Sequence, residues 1–333
     1  MKSLSTIIKS LVFVFLSTVI TTSGSASSAI DSSSIIVPSI LKSDVIGWSL
    51  LNLVTSNTFK ESLCTTSFGG DVQVKTLFDG YKEVGDVVWM SRKSKRLKAK
   101  YFAYKQYGQS VINRYNTWRK GRSIVAITSG AYGTGFNDIT DIPVGLTIDN
   151  GIMVNKNLDL SKDALVIVEA VGGIRMTNIE DGRLTIQDNG SKVLDLNNSF
   201  HRGQFISWAK KKEATVFQTH LLIQNNTLKV HYNSSKSRAL RKVLVLSKSS
   251  RGEIFHVIYN LQEASYTLQE VAQKILLHQT SLGMKVIMAA NLDTGGSNVI
   301  GTGGAAKDCN GQYLEGPSKR SNLTNALVYY HEQ

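Results

Sequence analysis

The sequence predicts an α+β fold, a single domain around a mixed, mainly antiparallel sheet with a packed helix toward its C-terminal end. Short period-two or wholly apolar runs recur along the chain between Gly, Asn and Asp clusters, as strands and turns do. A capping box at Thr267–Leu268–Gln269–Glu270 opens one strongly patterned helix. No repeat of fixed period occurs, which argues against propellers and solenoids, and only three prolines interrupt the 333 residues.

The chain opens with Lys2 and Lys9, an apolar run from Leu11 to Ile20, and no acid before Asp31. That order predicts a cleavable export signal over residues 1–29, cut after Ala26 or Ala29, because the run is too short to span a bilayer. The expected location is therefore secreted or periplasmic. Residues 30–85 read as an N-terminal extension, with a flexible tail at Ser27–Ser34 and a short amphipathic helix at Ile40–Val54, and residues 86–333 as the main domain. Two cysteines, Cys64 and Cys309, allow one disulfide in an oxidising compartment, or a free buried Cys64, but no disulfide-built scaffold. Without CxxC, HExxH or a Cys/His cluster, no structural zinc site, other metal site or cofactor is expected.

The formal net charge is +13, which favours polyanionic surroundings and is silent about fold. In an exported protein the polyanion is a phosphorylated glycan or an envelope polymer, not cytoplasmic nucleic acid. The positive charge concentrates between Ser91 and Arg122, where Arg92, Lys93, Lys95, Arg96, Lys98, Lys100, Lys105, Arg114, Arg119, Lys120 and Arg122 meet no acid. Tyr101, Phe102, Tyr104, Tyr107, Tyr115 and Trp118 interleave with them. Cations beside stacking rings suit an anionic polymer; they also suit the outer face of edge strands, where lysine blocks pairing.

Strands are expected at Asp86–Met90, Ser123–Thr128, Val144–Ile148, Ala164–Val168, Leu184–Gln187, Val216–Ile223, Val243–Ser247 and Ile254–Ile258. After the capping box, Leu268, Val271, Ala272, Ile275 and Leu276 share one helix face, and Gly283 closes the helix. The next run, Val286–Ala290, is wholly apolar and fits a central strand. It leaves Asn291–Leu292–Asp293 at its carboxyl end, so a carboxylate stands at a sheet mouth.

The stretch Asn291–Leu292–Asp293–Thr294–Gly295–Gly296–Ser297 resembles the Asn-Leu-Asp-Gly-Gly-Gly-Ser closing motif of the phosphodiester glycosidase family, the uncovering-enzyme type of domain acting on N-acetylglucosamine-1-phosphodiesters. Further stretches agree in order. Ala126–Ile127–Thr128–Ser129–Gly130–Ala131–Tyr132 is similar to the family's Asn-Gly-Gly-aromatic strand end. Pro143–Val144–Gly145–Leu146 through Asp149–Asn150–Gly151 is similar to its Pro-Val-Gly hairpin. Phe217–Gln218–Thr219–His220–Leu221–Leu222 resembles its Gln-Ser/Thr-Gly-Pro-Leu segment, and Ser237–Arg238–Ala239 falls where the family has Arg-Thr-Ala. The likeness runs from about Asp86 to Gly304. Ser129 replaces the family's Asn, Ala131 and His220 replace glycines, and Thr294 replaces the first Gly of the triplet, so the chain resembles a divergent member.

The resemblance implies a hydrolase that releases a sugar from a sugar-1-phosphodiester or a related envelope glycan. The phosphate leaving group is already acidic, so the chemistry needs a carboxylate for water or for an oxocarbenium-like centre, and donors for the phosphate. Asp293 fits the carboxylate; its bland alternative is a turn cap on the following amides. Arg238 fits the phosphate clamp; alternatively it is a solvated strand-end arginine beside Lys236, Arg241 and Lys242. His220 offers acid/base or phosphate-binding chemistry, or is a structural histidine. Gly130, Gly295 and Gly296 would let amides approach an anion, with Ser129 and Ser297 donating hydroxyls. Asp138 and Asp141 could bind a cation or sugar hydroxyls, or lie in a solvated turn. The alternative function is a non-catalytic exported binder of anionic glycan on the same fold.

Overall fold

The computed structural model describes residues 58–62, 66–68, 71–93, 95–105, 108–133, 142–231, 236–294, 300–302 and 323–332. The export signal, the Ser27–Ser34 tail, the Ile40–Val54 helix, Cys64, Cys309, Asp138, Asp141, Gly295, Gly296 and Ser297 lie outside the described residues. Among those described, no helix is long and apolar enough to cross a membrane.

The elements run β1 (Phe59–Glu61), β2 (Thr66–Phe68), β3 (Val72–Asp79), β4 (Lys82–Ser91), β5 (Leu97–Phe102), α1 (Val111–Trp118), β6 (Ser123–Thr128), β7 (Thr147–Asp149), β8 (Ile152–Asn155), β9 (Ala164–Val168), β10 (Ile174–Asn178), β11 (Arg183–Gln187), β12 (Ser191–Asp195), α2 (Ser199–Lys211), β13 (Thr215–Gln224), β14 (Thr227–Leu228), β15 (Ala239–Ser249), β16 (Ile254–Tyr266), α3 (Leu268–Ser281), β17 (Met284–Leu292), β18 (Ile300–Thr302) and β19 (Ala326–His331). The main sheet follows the order β1-β3-β4-β16-β15-β17-β13-β7-β8, with β9 and β10 continuing from β13. A second sheet has the order β18-β6-β19-β5, and β11 pairs with β12 as a separate hairpin. The α+β expectation holds, and every described strand pair is antiparallel.

Central strands lie buried on both faces, which is why they read as continuous apolar runs. In β15, Leu244 and Leu246 point into the layer shared with the second sheet, beside Tyr101, Ala126 and Tyr329. Val243 and Val245 point the other way, against Leu268, Val271, Ala272 and Ile275 of α3. The α3 capping box forms as its residues predict: the Thr267 hydroxyl accepts from Glu270 N at 3.1 Å, and Thr267 N donates to Glu270 Oε2 at 2.8 Å. On the far side α1 packs Val111, Ile112 and Tyr115 against Phe102, Ile127 and Val328. The layers are therefore α3, main sheet, second sheet and α1, while α2 covers β7, β9 and the β11–β12 hairpin.

Three expectations change. Residues 59–85, read as an extension, supply β1, β2, β3 and part of β4, and residue 86 falls inside β4. The strand expected at Val144–Ile148 begins only at Thr147. Gly145 takes φ +84° and Leu146 N donates to Gln218 Oε1 at 2.6 Å, so the preceding backbone bends to meet a side chain instead of a ladder. In the Ser91–Arg122 stretch, Tyr101, Phe102 and Tyr115 are buried core, not rings open to a polymer, while Tyr104 and Trp118 are half-buried. Its cations remain at the rim, where Lys93, Lys95, Arg96, Lys105, Arg119, Lys120 and Arg122 are exposed.

Candidate functional site

The residues with the most chemistry gather where β17 ends, beside β13, the start of β15 and the end of β6. Register explains the grouping. His220 of β13 pairs with Asn291 of β17, and Asn291 pairs on its other side with Val243 of β15, two residues from Arg241. Bulges interrupt the β13–β17 ladder between Leu221 and Ile223 and the β15–β16 ladder between Ala239 and Arg241, and bulges re-aim side chains at such places.

Asp293 follows β17 and is buried. The second sheet holds its backbone on both sides: Asp293 N donates to Gly130 O at 2.9 Å, and the Ser129 hydroxyl donates to Asp293 O at 2.5 Å. Gly130 is tied in turn, its N–H donating to Asn325 Oδ1 at 2.9 Å while Asn325 Nδ2 donates to Ala131 O at 2.8 Å. The carboxylate position is thus set by two sheets.

Tyr132 covers the cluster. Its hydroxyl bonds Asn291 Nδ2 and the Arg241 guanidinium, and its ring meets the His220 imidazole edge-on at 5.4 Å. Burial pushes the phenol up to about 12, against the pull of Arg241 and with Asp293 adding to the rise, so Tyr132 is a neutral donor at ordinary pH. Arg241 is buried, with Nε donating to Tyr266 O at 2.8 Å and its fork also bonded to Ser237 O. It supplies positive field more than a free fork.

Lys162 lies over the Tyr132 ring, 5.9 Å from its centroid, and is paired with Asp159. Burial works against the Asp159 charge, but bonds from Lys162 and Ser161 overcome it and bring that carboxyl down to about 2. The loop carrying both residues is held by one amide: Gln218 Oε1 accepts from Asp159 N at 3.0 Å, and Nε2 donates to the carbonyls of Asp159 at 3.1 Å and Lys162 at 3.0 Å. Burial first, then the Lys162 charge, lowers His220 to about 4. Its imidazole is neutral at ordinary pH and is no cationic phosphate partner. Asn291 Oδ1 is buried and has no partner among the described residues, a cost of about 1–3 kcal/mol.

The structure therefore brings Asp293, His220, Ser129 and Gly130 together and leaves Arg238 out. Arg238 is 56% exposed in its side chain and donates to Glu270 Oε2 at 2.8 Å and Ser265 O at 2.7 Å, drawn to the capped end of α3 by that carboxylate. Ser129 is buried and its hydroxyl is spent on Asp293 O, not presented to a substrate. Gly130 is required by packing: a Cβ there would meet Tyr101 Cε2 at 2.5 Å. Gly130→Ala is expected to lower stability by about 1–3 kcal/mol. An unchanged thermal midpoint would show that Tyr101 yields, and that Gly130 serves something other than packing.

Sequence reasoning missed Arg241, Lys162 and Tyr132 as site residues. Tyr132 stands at the strand-end aromatic of the second motif, which was the available signal; Arg241 and Lys162 carry none. Among the described residues no group of three or more His, Cys, Asp and Glu gathers to hold a metal.

No protein-family model matches the chain, and no curated protein matches its sequence. Solved structures similar to it include a hypothetical protein from Synechocystis, at 13% identity over 83% of this chain and 62% of that one, with a TM-score of 0.43. The chain spans less than two thirds of that protein. Another is the catalytic domain of zebrafish N-acetylglucosamine-1-phosphodiester alpha-N-acetylglucosaminidase, auto-inhibited by its pro-peptide, at 13% identity over 83% of this chain and 89% of that one, TM-score 0.43. A putative exported protein from Burkholderia pseudomallei shares 12% identity over 73% of each chain, TM-score 0.36. These are distant likenesses of fold, and the chemistry of the site rests on its own residues.

Proposed function

We propose that the chain is an exported hydrolase that releases a sugar from a sugar-1-phosphodiester or a related anionic envelope glycan. The observation that supports this most is Asp293, a carboxylate held across two sheets beside a neutral phenol and buried cations. Arg241 and Lys162 set positive charge beside the Tyr132 hydroxyl and ring, so the cluster attracts an anion. Asp293 activates water or stabilises the oxocarbenium-like centre, Arg241 and Lys162 attract the phosphate, and Tyr132 donates a hydrogen bond. His220 shapes the site as a neutral ring.

The test is incubation of the full chain, with residues 1–29 removed, with a panel of sugar-1-phosphodiesters, reading released sugar. Within it, Arg241→Gln is expected to lower kcat/KM at least about tenfold at unchanged fold, and Arg238→Gln to stay within about twofold. The reverse ranking would return the phosphate clamp to Arg238. The exposed cations of residues 93–122 support a second reading, a non-catalytic binder of anionic glycan. Salt-steep polymer binding with no sugar released across the panel would select it.

A further inference from the structure

We infer that Lys242 is a positioning residue for Asp293, acting through Ser129, and that it is kept for this and not for stability; the inference rests on the hydrolase reading above. Lys242 is fully buried between the two sheets, on the β15 face that carries Leu244 and Leu246. Taking an ammonium out of water costs several kcal/mol, and an apolar side chain of similar volume often serves stability equally well there. Its position needs another reason.

That reason is a directed chain of hydrogen bonds. Lys242 Nζ donates to Ser129 Oγ at 3.2 Å, and Ser129 Oγ donates to Asp293 O at 2.5 Å. An ammonium has no lone pair to offer, so Ser129 must accept from it, which turns the single hydroxyl proton toward the Asp293 carbonyl. A charged donor on an oxygen also strengthens the bond that oxygen gives onward. With Asp293 N held by Gly130 O at 2.9 Å, both backbone groups of Asp293 are fixed from the opposite sheet. The carboxylate then needs no reordering when substrate arrives, and small misplacements of such a group are costly to rate.

The experiment compares Lys242→Met, Ser129→Ala and the double variant of the full chain with residues 1–29 removed. Turnover of a sugar-1-phosphodiester is measured together with thermal unfolding and amide exchange at Asp293, with Ala290 in β17 as internal reference. Each single variant is expected to lower kcat by about tenfold or more with KM within about twofold, and the double variant to be no worse than either, since both act through one chain. Exchange at Asp293 should quicken by roughly tenfold while Ala290 stays protected. The Lys242→Met midpoint should stay level or rise. Unchanged kcat and Asp293 exchange in Lys242→Met would overturn the inference, as would a fall in the midpoint that accounts for the lost activity. If the parent protein releases no sugar from any substrate, the hydrolase reading fails instead, and Asp293 exchange alone decides whether Lys242 holds that residue.

Discussion

Asp293→Asn is expected to lower sugar release at least about a hundredfold while leaving the thermal midpoint in place. Asn keeps the volume of Asp and has the same backbone, so the bonds from Asp293 N to Gly130 O and from Ser129 Oγ to Asp293 O survive the substitution. What disappears is one of two negative charges in a cluster whose other members are the Asp159 carboxylate, already paired with Lys162, a neutral phenol, a neutral imidazole and cations. A charge that faces a developing oxocarbenium-like centre, or takes a water proton, contributes on the order of 3 kcal/mol or more to the barrier, which is the hundredfold loss. The fold responds little because Leu292 and Ala290 anchor the strand end in the core regardless of residue 293. Full turnover by the Asn variant would sink the catalytic role. A midpoint several degrees lower with proportionate loss of activity would make Asp293 a turn cap.

The legible parts of the fold were those where one local pattern suffices. Ser123–Thr128 and Ala164–Val168 coincide residue for residue with β6 and β9, because both faces of these strands are buried and the apolar run has the strand's length. The Thr267 capping box gave the start of α3 because cap chemistry is local. Helix α2 was missed for the opposite reason: it exposes Phe200 and ends in Lys210 and Lys211, so its apolar stripe is faint. Helix α1 hid inside the basic stretch, where its Tyr115 reads as a surface ring until Phe102 is seen to pack on it. At the site, Asp293 was legible because it ends an apolar strand. The choice among Lys236, Arg238, Arg241 and Lys242 was not, since all four look alike in sequence. Strand register and a bulge decide that Arg238 faces Glu270, Arg241 faces Tyr132 and Lys242 enters the core.

Stability is expected to fall steeply on acidification between about pH 6.5 and 4, before most carboxylates titrate. His256 is buried in β16 with Nδ1 3.1 Å from the Tyr329 hydroxyl, and burial, with the Arg92 charge adding to it, lowers it to about 3. His220 comes down to about 4 by burial and the Lys162 charge. His278 is lowered too, by burial that the nearby Glu61 carboxylate only partly offsets. Each of these bases is harder to protonate folded than unfolded, so below the ordinary value of 6.5 the unfolded chain binds more protons. The stabilisation is complete above about pH 6.5 and is lost as pH falls toward the folded values. A full proton of difference gives a slope of about 1.4 kcal/mol per pH unit and the slope at pH 6.5 is half that, so His256 and His220 together remove roughly 3 kcal/mol between pH 6.5 and 5. For a domain of this size that is a midpoint lowered by roughly five degrees. His256→Gln removes one titrating ring and should flatten the slope by about one proton, even if the variant is less stable at pH 7. A midpoint constant between pH 7 and 5, or a slope unchanged in His256→Gln, would show that His256 protonates in the fold as readily as in the open chain.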